Sequence, residues 1–376
     1  MKITKIAILL FLIGIVAGAS IGYGVFSYIT STTSPSSITI RVGILPLLGY
    51  QTYLIEALNL TRIFPSNVKI EYKAFPDGSA QMEAFMAGQI DIGYVGTVPA
   101  LKAWDQGAKC KMVAGIYIGG TVLIVRNDTG DIHTLADLKG KDIATPAPWN
   151  WQDAILKLLL LPRGGLTEDD VTIHYLKSTE AITALLKTPP DIDAAIMWEP
   201  HVTKALEQAE EAGVKLDVLV PWNQIVSDNT EFGYQYSAST LIASEDFMEN
   251  HPDLLKTWIE IHLLSMMMAS PNMSLVGKGI IPYDKACDMI NTQIKRLTGI
   301  DFTTSVIMKA FERLKWSYYP STNTTLWIAK VMYEHNVMTH MPNYEDIHDL
   351  SIENEILQSW GLEPVPETGE PTPPGS

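Results

Sequence analysis

From Ile38 to Val220 the chain alternates short β-branched runs with helix-spaced stretches, and this alternation limits what it can fold into. Ile38–Leu45, Val68–Phe75, Ile90–Val95, Lys111–Ile118 and Thr121–Arg126 read as strands. So do the stretches near Ile143, Thr172–Leu176, Ala194–Trp198 and Val218–Val220. Helical spacing fills the gaps, as in Gly78–Gly88, where Met82, Phe85 and Met86 share a face. Strands alternating with helices indicate parallel βαβ units and an α/β fold. A strand-like Ser239–Ala243 comes next, and from Glu245 to about Leu357 the pattern is helical only.

One α/β set, a second set and a return predict two lobes joined by two crossover strands. Residues 38–120 and 239–361 are assigned to the first lobe and 121–238 to the second, with the helical C-terminal part packed on the first. The crossovers are expected near Gly119–Leu123 and Tyr236–Leu241. Ligands of open parallel sheets sit beyond the carboxyl ends of the strands, at helix N-termini. Two such edges facing one another make a cleft that closes by hinge motion.

The flanks are of another kind. Lys2 and Lys5 precede an apolar run from Ile6 to Ile29, long enough at ~1.5 Å per residue to span a hydrocarbon core of ~30 Å. Ala17-Gly18-Ala19 resembles a signal-peptidase site, whereas the apolar run beyond it suits an uncleaved signal-anchor; residues 1–30 are read as one or the other. Either way the remainder is exported, tethered to the cell membrane or secreted. Residues 31–37 form a Ser/Thr linker, and the Pro-rich stretch 362–376 reads as a disordered tail. Sequons stand at Asn59, Asn127, Asn272 and Asn323.

With 27 basic and 42 acidic residues the formal charge is −15, and no Lys/Arg stripe suits a phosphate backbone, so nucleic acid is not an expected partner. The two cysteines, Cys110 and Cys287, exclude a disulfide-rich scaffold and a thiolate-dominated zinc site, and leave one bridge open. The eight histidines are scattered, and no metalloprotease, nucleophile-elbow or P-loop pattern occurs. No metal or cofactor is expected. The Met-rich stretch Ser265–Ser270 reads as buried helix.

Five stretches, in order, resemble the nitrate/sulfonate/bicarbonate (taurine-like) group of ABC-importer substrate-binding proteins. Gln89-Ile90-Asp91-Ile92-Gly93-Tyr94-Val95-Gly96-Thr97-Val98-Pro99-Ala100 is similar to that group's first-lobe element, and Leu138–Ala144 to its entry into the second lobe. Gly165–Val171 resembles its helix-to-strand connector, Asp191–Pro200 its strand-to-helix turn ending in Trp-Glu-Pro, and Glu249–Leu254 the helix start after the second crossover. The resemblance covers about Ile38 to Ser270. It implies a type II periplasmic-binding-protein fold, a small-molecule ligand, and a membrane permease with its ATPase as partners. Anchored ligand sensing, or catalysis on the same fold in the manner of thiamin-pyrimidine synthases, stand as alternatives.

The expected ligand contacts derive from the strand ends. Gly96 and Thr97 open the helix after Ile90–Val95; Tyr50 occupies the turn after the first strand, and Tyr117 the first crossover. Trp149, Asn150 and Trp151 stand where the group usually carries small residues that grip an oxyanion. Trp198 and Glu199 end a strand, though Glu199 can equally complement the N-terminus of the next helix. Tyr236 lies at the second crossover, beside Tyr234. The loops Leu47–Gln51, Gly96–Val98, Tyr117–Thr121, Pro146–Gln152, Trp198–His201 and Tyr234–Ala238 contain no Lys or Arg. An aromatic cleft without cations suits a ring-bearing or amine-bearing ligand, although a small anion can still bind through backbone N–H groups. His201, next to this cleft, reads as a surface residue at a helix start.

Overall fold

The computed structural model describes residues 37–225, 236–269 and 281–366. The N-terminal apolar segment, Tyr234, the Asn272 sequon and the chain beyond Pro366 lie outside the described residues.

Two sheets organise the molecule. The first contains β1 (Ile38–Ile44), β2 (Val68–Ala74), β3 (Ile92–Gly96) and β4 (Cys110–Gly119). The second contains β5 (Thr121–Arg126), β6 (Asp142–Thr145), β7 (Thr172–Tyr175), β8 (Ala194–Trp198) and β9 (Leu216–Val220). The chain then returns to the first sheet with β10 (Ser239–Ser244) and adds β11 (Leu314–Trp316) at its edge. Spatial order is β11-β4-β10-β3-β1-β2 in one lobe and β7-β6-β8-β5-β9 in the other.

The βαβ reading holds within each lobe, where β1 runs parallel to β2 and β3, and β6 parallel to β7 and β8. The crossover strands depart from it: β10 is antiparallel to β3 and β4, and β5 is antiparallel to β8 and β9. A strand that arrives from the other lobe is free of the βαβ handedness rule and enters from the opposite end. The helices-only expectation beyond Glu245 is corrected by β11, which is too short for alternation to reveal and pairs antiparallel with β4.

Local chemistry explains where the elements begin and end. Ile40, Val42 and Ile44 on the interior strand β1 are fully buried. The Asp77 carboxylate caps the helix Gly78–Met86 by accepting the Ala80 N–H at 2.9 Å, and Gly213, at φ 67°, stops the helix His201–Ala212. Between β4 and β5 the chain passes from one lobe to the other through Gly119 and Gly120, both at φ 85°. A Cβ on Gly119 would lie 2.6 Å from the Trp222 ring, so backbone conformation and space both require glycine there.

The lobes meet on two sides of the cleft. On one, the helix Thr97–Asp105 packs on the helix Trp151–Ile155, and Val98, Leu101, Trp151 and Ile155 share one buried cluster. On the other, the helix Thr304–Ala310 packs on His201–Ala212. Most of the C-terminal part lies on the first lobe: helix Pro252–Ala269 against Tyr50–Ala57 and Ser351–Ser359, and helix Tyr283–Thr298 also against Tyr50–Ala57. Ser265 and Met266 are fully buried there. Ordered contacts continue past Gly361, since Val365 is buried and exchanges two hydrogen bonds with Asn354. Cys110 and Cys287 are both buried free thiols. Asn127 is buried, its amide held by Ile132 and Asp217. No helix among the described residues is long and apolar enough to cross a membrane.

Candidate functional site

A cleft of about 330 Å³ opens between the lobes. The first lobe contributes the end of β1 (Leu45, Pro46), the N-terminus of Gly78–Met86 and the turn at Gly96. The second contributes Asn150, Trp151 and Gln152, the N-terminus of Ser178–Leu186, and Trp198 with His201. Ile300, from the C-terminal part, completes the wall. Apart from Ile300, these are strand ends and helix starts, as the geometry of open sheets requires.

Five of the expected contact residues line the cleft: Gly96, Tyr117, Asn150, Trp151 and Trp198. Asn150 is also the cap of the helix it precedes, its Oδ1 accepting the Asp153 N–H at 2.9 Å. The other five stand outside the lining. Thr97 is buried, and its hydroxyl donates to the Ser237 carbonyl at 2.8 Å, tying the second crossover to the first lobe. Tyr50 donates its hydroxyl to the Glu199 carbonyl at 3.1 Å. Glu199 is buried, one carboxylate oxygen 3.1 Å from Arg313 and the other accepting the Thr203 N–H at the start of His201–Ala212. Burial pushes its carboxyl up to about 7, against the pull of Arg313. Tyr236 lies behind Trp151, stacked on it at 5.4 Å and 9°.

Trp149 and Trp151 point to different surroundings. Trp149 adopts φ 54°, held by its N–H donating to Asp153 at 2.7 Å. That turn sets its ring under Lys157, whose Nζ lies 5.1 Å from the ring centroid. Trp151 enters the helix and faces the cleft, 2% exposed, with its indole N–H buried and without an acceptor.

Two expectations about charge and exposure are corrected. The cleft contains a cation: Lys177, between β7 and the helix Ser178–Leu186, is a lining residue. Its loop sits at a strand end like the six cation-free loops, so its place in the cleft obeys the same rule. The neighbouring Ser178 is buried with its hydroxyl unpartnered at the first turn of that helix. His201, expected on the surface, is 6% exposed and lines the cleft. It lies edge-on between Trp198 and Phe302, each 5.8 Å away, and burial lowers its pKa to about 3, so it is a neutral imidazole with Nδ1 unpartnered. Ile300 carried no sequence signal.

The site can therefore present an indole N–H, a hydroxyl, helix N-terminal N–H groups and an ammonium to acceptor atoms, beside flat aromatic walls. Its one lining carboxylate, Asp77, is occupied as a helix cap. Among the described residues no group of His, Cys, Asp and Glu side chains is arranged to hold a metal.

Two α/β lobes joined by crossover strands, with a cleft at facing strand ends, define the two-lobed fold of periplasmic binding proteins. The NMT1/THI5-like family profile matches residues 65–270, more than half of the chain, and the protein belongs to that family. It is 26% identical over 231 residues to an aliphatic sulfonates-binding protein of Escherichia coli, covering 58% of this chain and 64% of that one. It is also 26% identical over 197 residues to the taurine-binding periplasmic protein of Escherichia coli, covering 51% and 55%. The chain thus matches less than two thirds of the length of these relatives. Among solved structures, the alkanesulfonate-binding protein of Xanthomonas axonopodis pv. citri bound to MOPS superposes with a TM-score of 0.60 at 18% identity, covering 82% of this chain and 96% of that one.

Proposed function

We propose that this protein is the extracytoplasmic ligand-binding component of an ABC importer, capturing a small organic anion in the interlobe cleft and delivering it to a membrane permease and its ATPase. The observation that carries this reading is the cleft itself. Both lobes wall it, and Trp151, Ser178 and His201 each leave a buried polar atom without a protein partner. A buried polar group left unpaired costs roughly 1–3 kcal/mol, so a ligand that supplies partners gains affinity that an apolar molecule would not.

Lys177 and the donors of the Ser178 turn favour an anionic head, while Tyr117, Trp151 and Trp198 favour a flat or apolar body. The ring expected from the aromatic loops fits these walls, and an amine can accompany the anionic head beside the same rings. The named ligands of the relatives and of the solved neighbour, aliphatic sulfonates, taurine and MOPS, all combine an anionic head with an organic body. Ligand bridging drives closure as a population shift. Binding and release without turnover is the reading for this cleft, and tethering through the apolar N-terminal segment keeps the domain beside its permease.

Mass spectrometry of small molecules co-purified with residues 37–366, followed by calorimetry with MOPS, taurine and nitrate, tests this. Binding of MOPS in preference to nitrate is expected. Tight nitrate binding with no response to the organic sulfonates overturns the ligand class, and chemical conversion of a bound molecule overturns the transport role.

A further inference from the structure

The segment from Ile300 to Arg313 lies beyond the family-matched region and folds with the first lobe, yet it meets the second lobe beside the first crossover. Its end is fixed at the first crossover, where the Gly120 N–H donates to the Arg313 carbonyl at 2.8 Å and Leu314 opens β11 beside β4. From there the Arg313 guanidinium extends to the second lobe. Its Nη1 donates to Glu199 Oε1 at 3.1 Å and to Thr203 Oγ1 at 3.0 Å.

The contact is broad. Lys309 pairs with Glu207 at 2.6 Å, Phe302 faces His201 edge-on, and Lys204 lies 5.4 Å from the Phe302 centroid. Tyr50, also of the first lobe, holds the Glu199 carbonyl from the other side. These contacts grip the turn after β8 and the first two turns of the helix that follows, the element that presents Trp198 and His201 to the cleft.

We propose that Ile300–Arg313 is a strap that holds the lobes closed, with Arg313 a positioning residue acting through Glu199 on the Trp198–His201 wall. Glu199 is buried while Arg313 is partly exposed, and desolvation of the carboxylate offsets much of the attraction between them. Such a latch opens readily, and a ligand that touches His201 and Ile300 can tip it. Removing one partner is different: it leaves the Glu199 carboxyl buried with its main partner gone, which disfavours the closed arrangement. The inference relies on the ligand-binding reading for its purpose but not for its test, which is made without ligand.

Spin labels at Glu83→Cys and Thr183→Cys, exposed positions on helices whose N-termini face each other across the cleft, report the interlobe distance by double electron–electron resonance. In this background Arg313→Met is expected to move the main population to longer distances, Arg313→Lys to restore most of the short-distance population, and Tyr50→Phe to give a smaller shift in the same direction. With MOPS as the probe, Arg313→Met should weaken binding by about tenfold if the closed fraction falls by that factor. A folded Arg313→Met protein with wild-type distances overturns the proposal, whatever MOPS does. If that variant does not fold, Tyr50→Phe and Lys309→Ala decide, and unchanged distances in both overturn it. Failure of MOPS and taurine to bind, with the distances shifting as expected, counts against the ligand class alone.

Discussion

The indole of Trp151 lies face to face on the phenol ring of Tyr236, 5.4 Å between centroids and 9° from parallel. One ring comes from the first helix of the second lobe's βαβ run and the other from the chain returning to the first lobe. The stack thus backs the Trp151 ring directly against the second crossover, and the Tyr236 hydroxyl lies 3.4 Å from the Thr121 N–H at the first. Trp151→Ala should weaken MOPS binding by roughly 1–3 kcal/mol, the worth of the apolar contact that the indole gives a saturated organic body. Trp149→Ala should leave it unchanged, because that ring packs under Lys157. Calorimetry of both variants checks the pair, and equal losses would contradict the divergence of the two tryptophans.

Lys177 is exposed and faces the cleft, so its attraction for an anionic head is screened by salt. Lys177→Met is expected to lower the affinity for MOPS several-fold at low ionic strength, and less at about 0.5 M salt, where the Debye length falls to about 4 Å. Affinities measured at two salt concentrations give the answer; a salt-independent loss would mean that the side chain packs rather than attracts.

Glu199 carries a pH dependence of defined sign. Its carboxyl is raised from 4.5 to about 7 by burial, with Arg313 and the Thr203 N–H pulling it back. Arg313 faces it from the strap and Tyr50 from the first lobe. Between these values the folded protein binds a proton that the unfolded chain does not, so this group stabilises most below pH 4.5 and its contribution is lost as pH rises through 7. The stability of the wild type relative to Glu199→Gln should therefore fall by on the order of 3 kcal/mol between about pH 4.5 and pH 8. Denaturant midpoints of both proteins across that range measure it.

Three buried histidines act in the opposite direction. Burial lowers His201 to about 3 and His262 and His348 to about 4 from an ordinary 6.5. Each is neutral in the folded protein and charged in the unfolded one at mildly acid pH, so their contribution is present above 6.5 and lost as pH falls towards 4. His262 is held between the Tyr94 hydroxyl and the Gly115 carbonyl, whereas both His348 ring nitrogens are buried without a partner. His348→Phe should thus flatten the acid limb of the melting-temperature profile at little cost near neutral pH. An unchanged slope between about pH 6.5 and pH 4.5 would count against it.

Much of the lobed architecture was legible because strand ends and helix starts are written in short local patterns. Gly96, Tyr117, Asn150, Trp151 and Trp198 all stand at or just beyond the ends of strands, and Lys177 and Ser178 obey the same rule after β7. Other features depend on information that spacing does not hold. The two tryptophans two residues apart are separated by one left-handed backbone angle at Trp149. Arg313 meets Glu199 across 114 residues of sequence. Ile300 reaches the cleft only because the C-terminal helices wrap the first lobe and end beside the second. Three residues of β11 cannot display a period.

The family-matched stretch, residues 65–270, omits both β1 and the whole of Ile300–Arg313. A reagent built from that stretch alone would lack an interior strand of one sheet and a wall of its own receptor. The omission also points to an engineering handle. Because Ile300 shapes the cleft and Arg313 sets how firmly it shuts, side-chain changes within residues 300–313 could retune selectivity and residence time together, while the backbone bond from the Gly120 N–H to the Arg313 carbonyl keeps the first crossover anchored.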